Sequence, residues 1–369
     1  MIWRWMSVGW AGVDLFFVIS GYLITTILLG LREISHPYKT FYWRRILRIF
    51  PVYYGYLILV LLATRGDGWQ YLLKAAFFLS SISLDSFWLI CQRLLHHVSF
   101  ASHILPIQPQ TFTSSGNGLT MVWSLSIEEI FYLFWAPIVL RGSRKLITKC
   151  AVAPIIICPV LRVLGHTATF PEYGQFVFRI DGLMYGAVAA LLIAAVREEK
   201  LKQPQMDTLI RGAIWLPLLL LLPFAYYGIS HDVELRSMYA FTLIGYSCCG
   251  VFFAGLVLWC IDNGGSLAWL PSLLRNPVTT YVGRISYGMY LIHIYAFITL
   301  VIILRHFLGS GWIRGIGCSL AASVFTIALA SVSWHYFEKP MQRIKDRYFP
   351  SSGLVGDPKE EVVMEDATV

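Results

Sequence analysis

The chain alternates between long runs of apolar residues and short segments that hold most of its charges. Nine of the apolar runs are close to the length that a helix needs to cross a bilayer, about 20 residues. They lie at roughly 12–31, 48–64, 122–140, 146–164, 179–196, 209–228, 239–261, 281–304 and 313–336. This pattern predicts an all-α fold, a polytopic transmembrane helical bundle of about nine spans.

A tenth run, 70–90, is less apolar because it contains Lys74, Asp85 and several serines. If it does not cross, the segments on one side of the bundle hold 18 Lys and Arg residues and those on the other side hold 6. A single crossing would invert every later loop and break the rule that cytoplasmic loops are the basic ones. We therefore expect 70–90 to be re-entrant, interfacial or paired with a second crossing. The first ten residues are then expected outside and the C-terminus in the cytoplasm.

Composition narrows the class of protein further. Hydrophobic residues make up 57% of the 369 residues and charged residues only 14%, against about 25% charged residues in a soluble domain. Soluble enzymes, secreted disulfide scaffolds and disordered proteins are thereby excluded. The net charge of +8 fits the basic inner loops of a membrane protein and does not indicate a nucleic-acid partner. The seven cysteines show no metal-ligand spacing, so no metal site is expected.

The domain organisation is simple. A single transmembrane domain is predicted over 1–349 and a tail over 350–369. Five acids and one lysine lie in residues 357–369, so the tail is expected to be acidic, disordered and cytoplasmic.

Ionisable side chains inside apolar spans are costly and are therefore candidates for function. Asp14 lies in the first turn of the first predicted span, and Ser20 follows it on the same span. A carboxylate favoured by the helix dipole and a small packing residue explain these two positions equally well.

Three arginines stand beside an aromatic segment at the second span. Arg44 and Arg48 are four residues apart and share a helix face, and the guanidinium fork suits phosphate groups. Arginines that reach to the membrane surface would explain any one of them. With Arg45 there are three within five residues, which favours an anion-binding site.

The segment that begins with Trp123 and Ser124 carries two adjacent carboxylates. Ser126 and Glu129 have the spacing of a helix capping box, which gives Glu129 a structural explanation. Glu128 has no such explanation, since it points to a different face about 9 Å into the span. We therefore expect Glu128 to be the functional carboxylate.

Further polar residues lie in the later spans. Arg179 and Asp181 begin one span and could compensate each other. Tyr287 and His293 lie within another, where a buried histidine is more often a hydrogen-bonded core residue than a base. Glu338 follows the last span and could be a plain interfacial acid.

Together these segments resemble the acyltransferase-3 family, the integral-membrane acyltransferases that O-acylate bacterial surface polysaccharides and related glycans. The matching segments are, in order, GVDLFFVISGYLI, FYWRRILRIFPVYY, WSLSIEEIFYLFW, FRIDGLMYGAVAALL, GRISYGMYLIHIYAF and HYFEKP. Six matches in sequence order cover nearly the whole chain. The resemblance implies that 1–349 is an acyltransferase domain of the bacterial inner membrane.

One departure concerns the start of the chain. Members of the family normally begin with a further transmembrane helix that carries a basic residue and a histidine regarded as the base. Here Met1 stands a few residues before GVDLFF, so that helix is missing from the sequence. A start codon placed too late, a truncated protein and a rearranged or inactive member stay open as explanations.

The resemblance and the predicted sidedness imply that the two faces of the membrane domain have different roles. Arg44, Arg45 and Arg48 at the inner face would hold the phosphates of acyl-CoA, with acetyl-CoA as the default co-substrate and no permanently bound cofactor. Asp14 or Glu128 would orient the base that activates a hydroxyl of a glycan or lipid-linked saccharide on the outer side.

The remaining candidates would support this reaction. His293 with Tyr287 would polarise the acyl carbonyl or line the acyl tunnel. Residues expected to contact the acceptor or hold the site together are Ser20, Trp123, Ser124, Arg179, Asp181 and Glu338. A transporter or flippase without chemistry, and a non-catalytic scaffold of an envelope complex, are the alternatives, because intramembrane charges suit them as well.

Overall fold

The computed structural model of the protein describes residues 10–63, 65, 69–82, 122–165, 174–231, 238–261, 269–304 and 312–349. Every regular element in this part of the chain is helical. The α-helices are, in chain order, α1 (Ala11–Gly30), α2 (Pro37–Ala63), α3 (Trp69–Ala76), α4 (Val122–Arg141), α5 (Arg144–Gly165), α6 (Phe176–Arg197), α7 (Gln203–Ser230), α8 (Tyr246–Ile261), α9 (Trp269–Arg275), α10 (Pro277–Leu304), α11 (Trp312–Ser333) and α12 (Lys339–Tyr348). A 3-10 turn at Leu31–Glu33 and π-helical turns at Phe241–Gly245 and Trp334–Glu338 complete them.

Nine helical stretches of the described residues are long and apolar enough to cross a membrane. Each of the nine predicted runs coincides with one of them, which confirms the all-α polytopic fold and makes the chain a multi-pass membrane protein. The second span begins earlier than predicted, because α2 begins at Pro37 rather than near residue 48. Proline is favoured in the first helical turn, and this early start places the three arginines well inside the helix.

The described part of 70–90 does not cross the bundle. The helix α3 has eight residues, or about 12 Å, which is too short to span a bilayer. The chain then turns back to α4, where the hydroxyls of Ser81 and Ser126 lie 2.8 Å apart. The Tyr53 hydroxyl donates to the carbonyl of Ala75 at 2.8 Å and ties α3 to α2. Residues 83–90, like the predicted tail at 350–369, lie outside the described residues.

Two glycines let the backbones of α1 and α6 touch at the centre of the bundle. A β-carbon added at Gly21 would lie 1.8 Å from the carbonyl oxygen of Leu183, and one at Gly186 would lie 2.0 Å from that of Val18. Small residues commonly mark such close helix contacts in membranes. The contact holds the polar side chains of α1 and α6 against each other.

The last span continues further than its apolar run. It passes through the π-helical turn Trp334–Glu338 into the amphipathic helix α12, which packs against α2. Such π-helical turns are often found at functional sites. The turn carries Glu338 into the bundle, where only 5% of the residue is exposed.

Candidate active site

A buried carboxylate lies where α1 and α4 meet. Glu128 Oε1 accepts hydrogen bonds from the hydroxyls of Ser20 on α1 and of Tyr132, one turn further along α4. The spacing of four residues brings Tyr132 to the same face as Glu128, and Ser20 reaches Glu128 from α1. Both bonds go to one oxygen, and no described side chain donates to Oε2. Sequence reasoning foresaw neither partner.

An arginine of α2 faces this carboxylate. Arg48 interacts electrostatically with Glu128, Tyr287 and Tyr132. Arg48 is exposed, whereas Glu128 and Tyr132 are buried. We refer to Ser20, Arg48, Glu128 and Tyr132 as the central carboxylate site.

Tyr287 and Glu338 border the central carboxylate site. The Tyr287 hydroxyl donates to the carbonyl of Ile49 at 3.3 Å, which fixes α10 beside α2. Glu338 accepts a hydrogen bond from the Ser333 hydroxyl at 3.0 Å and interacts electrostatically with Arg48. Because Glu338 is buried and partnered, the interpretation as a plain interfacial acid is wrong.

For Arg45 and Arg48 the predicted separation of arginines from carboxylates is also wrong. The Arg45 guanidinium lies 5.3 Å from the ring centre of Tyr132, which binds Glu128, and it interacts electrostatically with Glu129. Arg48 interacts with Glu128 itself. The long helix α2 carries Arg45 and Arg48 to the carboxylates, because it begins eight and eleven residues before them.

The capping-box interpretation of Ser126 and Glu129 fails. The helix α4 begins at Val122, so Ser126 lies within the helix and not at its N-cap. Its hydroxyl instead donates to the carbonyl of Phe78, after α3. Glu129 Oε1 is buried and has no hydrogen-bond partner, so both adjacent carboxylates face the protein interior.

Two further ion pairs are buried between α1, α5 and α6. Arg179 pairs with Asp14, and Asp181 pairs with Arg162 at 2.8 Å. Arg179 and Asp181 therefore do not compensate each other, contrary to one sequence interpretation. Residues two apart on a helix point to different faces, so each finds its partner on another helix. The Arg179 guanidinium also lies 4.4 Å from the ring centre of Tyr246.

Arg162 was missed by sequence reasoning. It is fully buried, and its guanidinium also donates to the carbonyls of Phe178 at 2.8 Å and Thr242 at 3.1 Å and to the Ser247 hydroxyl at 3.1 Å. An arginine near the end of an apolar run of 19 residues was the available signal. These bonds join α5 to α6, to the π-helical turn Phe241–Gly245 and to α8.

A second group of hydrogen-bonded polar side chains, on α4 and α10, lies beside the central carboxylate site. The hydroxyls of Ser124 and Tyr290 lie 2.5 Å apart, and His293 Nδ1 lies 2.7 Å from the carbonyl of Tyr290. A ring nitrogen that faces a carbonyl carries a proton, so Nδ1 is the donor of this bond. His293 is thus linked to Tyr290 and not to Tyr287. Trp123 packs edge-on against Phe17, 6.1 Å between ring centres.

The third arginine of the motif lies apart from the central carboxylate site. Arg44 donates to the carbonyl of Phe349 and lies 3.8 Å from Asp346 Oδ1, both at the end of α12. The structure therefore does not place the three arginines in one cluster. Within the described residues no group of three or more His, Cys, Asp or Glu side chains could hold a metal ion.

The arrangement as a whole is a carboxylate with two bound hydroxyls, a cation and neighbouring tyrosines inside an apolar bundle. Such a site can orient a proton-accepting group and stabilise developing charge. Comparison with known proteins assigns the chain to a family. A family model described as an acyltransferase domain matches residues 1–335, which include every residue of the central carboxylate site.

The chain belongs to the acyltransferase-3 family. It is 27% identical over 362 residues to the peptidoglycan O-acetyltransferase OatA of Listeria monocytogenes, covering 92% of this chain and 52% of OatA. It is 26% identical over 363 residues to YrhL of Bacillus subtilis, which also carries a peptidoglycan O-acetyltransferase name, covering 92% of this chain and 51% of YrhL.

A third relative, from Staphylococcus aureus (strain COL), carries an O-acetyltransferase name. It is 26% identical over 360 residues, covering 92% of this chain and 54% of that protein. The chain thus spans about half the length of the curated relatives it matches. No solved structure matches it.

Proposed function

We propose that this acyltransferase-3 domain moves an acyl group, acetyl by default, from cytoplasmic acyl-CoA to a hydroxyl of a cell-envelope glycan. The observation that carries the proposal is the central carboxylate site, in which Glu128 meets Ser20, Tyr132 and Arg48 inside the bundle. Family membership supports acyl transfer. The peptidoglycan O-acetyltransferase names of the relatives suggest the acceptor class.

In the proposed reaction the acceptor oxygen attacks the carbonyl carbon of the thioester. A C–O bond forms, the C–S bond breaks, and the hydroxyl proton passes through a base to the departing CoA thiolate. Glu128 would orient that base through Oε2, because both of its hydrogen bonds engage Oε1. Arg48, which interacts electrostatically with Glu128, would balance the negative charge that develops on the carbonyl oxygen.

The other candidates would act around this centre. Asp14, held by Arg179, and His293, held by its own helix, would line the acceptor side. Tyr287 would border the acyl path next to Arg48. The arginines near the start of α2 would guide the donor phosphates, since guanidinium groups bind phosphate in a fork.

Thiol release tests the proposal against transport without chemistry. Proteoliposomes with the full chain would receive acetyl-CoA on one side and a soluble glycan on the other. We expect free CoA thiol to form in step with acetylated glycan, and only when acetyl-CoA is on the side of the C-terminus. Glycan passage without thiol release would instead establish a transporter.

A further inference from the structure

The amphipathic helix α12 lies outside the residues that the acyltransferase model matches, 1–335. It carries four basic residues in ten, and the helix packs against α2 at the arginine motif. The contact is specific: Arg44 reaches both the carbonyl of Phe349 and Asp346, and the ring of Trp43 stacks on that of Phe349, 6.2 Å between centres.

Lys345 is the basic residue of α12 that turns towards α2. Its ammonium lies 3.5 Å from Asp346 Oδ1, the oxygen that Arg44 approaches to 3.8 Å. Only 12% of the Lys345 side chain is exposed, against 47% for Asp346. Lys345 also interacts electrostatically with both Arg44 and Arg48.

Holding Lys345 and Arg44 close together is unfavourable unless an anion lies between them. Asp346 supplies one negative charge, but it is half exposed and shared by two cations. A ligand with several negative charges would compensate the cations better than this carboxylate does. Because Asp346 is half exposed, such a ligand would be able to replace it while Arg48 keeps its electrostatic interaction with Glu128.

We infer that α12 completes the donor site, with Lys345 and Arg44 binding phosphate groups of acyl-CoA that displace Asp346. This inference rests on the proposed function, because it needs acyl-CoA as the donor. The chain path from Arg44 to Arg48, one helical turn, would then lead the pantetheine arm from the phosphates towards Glu128. A phospholipid headgroup offers the same phosphate chemistry, so the experiment separates the two sources.

The test is equilibrium binding of acetyl-CoA to the full chain in phosphatidylcholine nanodiscs. Lys345→Gln should weaken binding roughly fivefold to tenfold, between the effect of an exposed ion pair and that of a buried charge-assisted hydrogen bond. Asp346→Asn should tighten binding, because it removes the competing carboxylate. Arg343→Gln is the matched control: it makes the same charge change on an exposed residue of α12 and should leave binding unchanged.

S-acetylpantetheine, which lacks phosphates, should bind equally well to the wild type and to Lys345→Gln. If Lys345→Gln and Arg343→Gln bind acetyl-CoA alike and Asp346→Asn gives no gain, the inference is overturned while the proposed function stands. If the wild type binds no acetyl-CoA, the donor assignment itself fails. If Lys345→Gln changes only the binding of added phosphatidylglycerol, the site belongs to a lipid headgroup and the inference is overturned.

Discussion

At the scale of single residues, the two adjacent carboxylates of α4 have different surroundings. Glu128 accepts two hydroxyl hydrogen bonds and faces Arg48, whereas Glu129 Oε1 is buried without a hydrogen-bond partner. A charge-assisted hydrogen bond is worth about 1.5–3 kcal/mol. If Glu128 contributes one such bond to the transition state, Glu128→Gln should slow turnover roughly 10- to 150-fold.

Glu129→Gln is the matched control for that measurement. It makes the same substitution one position away, and we expect a smaller loss of activity because no described group donates to Glu129 Oε1. Acetyl transfer and detergent-extracted yield would be measured for both variants. Equal losses of activity at equal yield would show that Glu128 has no special part in the reaction.

The buried pair of Arg162 and Asp181 gives a prediction about stability. Removing one partner of a buried ion pair costs about 3–5 kcal/mol, because the other charge is left uncompensated. Arg162→Gln should therefore lower the unfolding midpoint in detergent strongly. Arg162→Lys should lower it less, since the charge stays while several of the guanidinium bonds are lost.

An exposed pair of α5 serves as the control for Arg162. Arg144 lies 2.5 Å from Glu198 at the surface, and exposed pairs contribute little. Arg144→Gln should leave the unfolding midpoint unchanged. A similar shift for Arg144→Gln and Arg162→Gln would mean that the buried network does not hold α5, α6 and α8 together.

The contacts of single residues were also the part of the structure that the sequence predicted least well. The partners of Arg179 and Asp181 lie on other helices, and no pattern within one segment reports which helices will meet. Ser126 was misread because a capping box depends on where α4 begins, and α4 begins four residues earlier. Arg162 was overlooked because a single charge hardly changes the apolar character of its run.

At the scale of helices, the sequence was sufficient to predict which segments form spans, but it did not predict how the spans pack against each other. The nine apolar runs coincide with nine described helices, because length and apolar character alone decide which segments enter a bilayer. The extension of the last span through Glu338 into α12 was missed, since a π-helical turn leaves no apolar signature. The contact of α1 with α6 depends on Gly21 and Gly186. The chain has 29 glycines, so the presence of glycine alone does not show where two helices touch.

That contact can be tested directly. Gly186→Ala would set a β-carbon 2.0 Å from the carbonyl oxygen of Val18, and the helices would have to move apart. Overpacking of this kind costs about 1–3 kcal/mol, so the unfolding midpoint should fall. Activity should fall with it, because α1 carries Ser20 and Asp14 and α6 carries Arg179.

Gly212→Ala on α7 is the matched control for Gly186. A β-carbon there meets nothing within 4 Å, and alanine is favoured over glycine within a helix by roughly 0.5–1 kcal/mol. The variant should be as stable as the wild type or more so. If both substitutions had the same effect on the unfolding midpoint, the close approach of α1 and α6 would not be needed for stability.

At the scale of the whole molecule, the distribution of basic residues predicts orientation. If the nine described spans cross the membrane and residues 65–121 do not, one face would carry 18 Lys and Arg residues and the other 6. The basic face includes Arg44 and the whole of α12. Because basic loops stay in the cytoplasm, Arg44 and the C-terminus should share the cytoplasmic side, where the proposed donor acyl-CoA is found.

Reporter fusions measure this orientation. A reporter that works only in the cytoplasm should be active after Val369 and inactive when inserted between residues 229 and 238, and a reporter that works only outside should give the reverse. The second insertion is the control, since it lies one predicted crossing away from the basic face. If the fusion after Val369 is active only outside, Lys345 and Arg44 face away from the cytoplasmic pool of acyl-CoA. The donor would then have to approach from the other face, and the proposed path from Arg44 through Arg48 to Glu128 would be reversed.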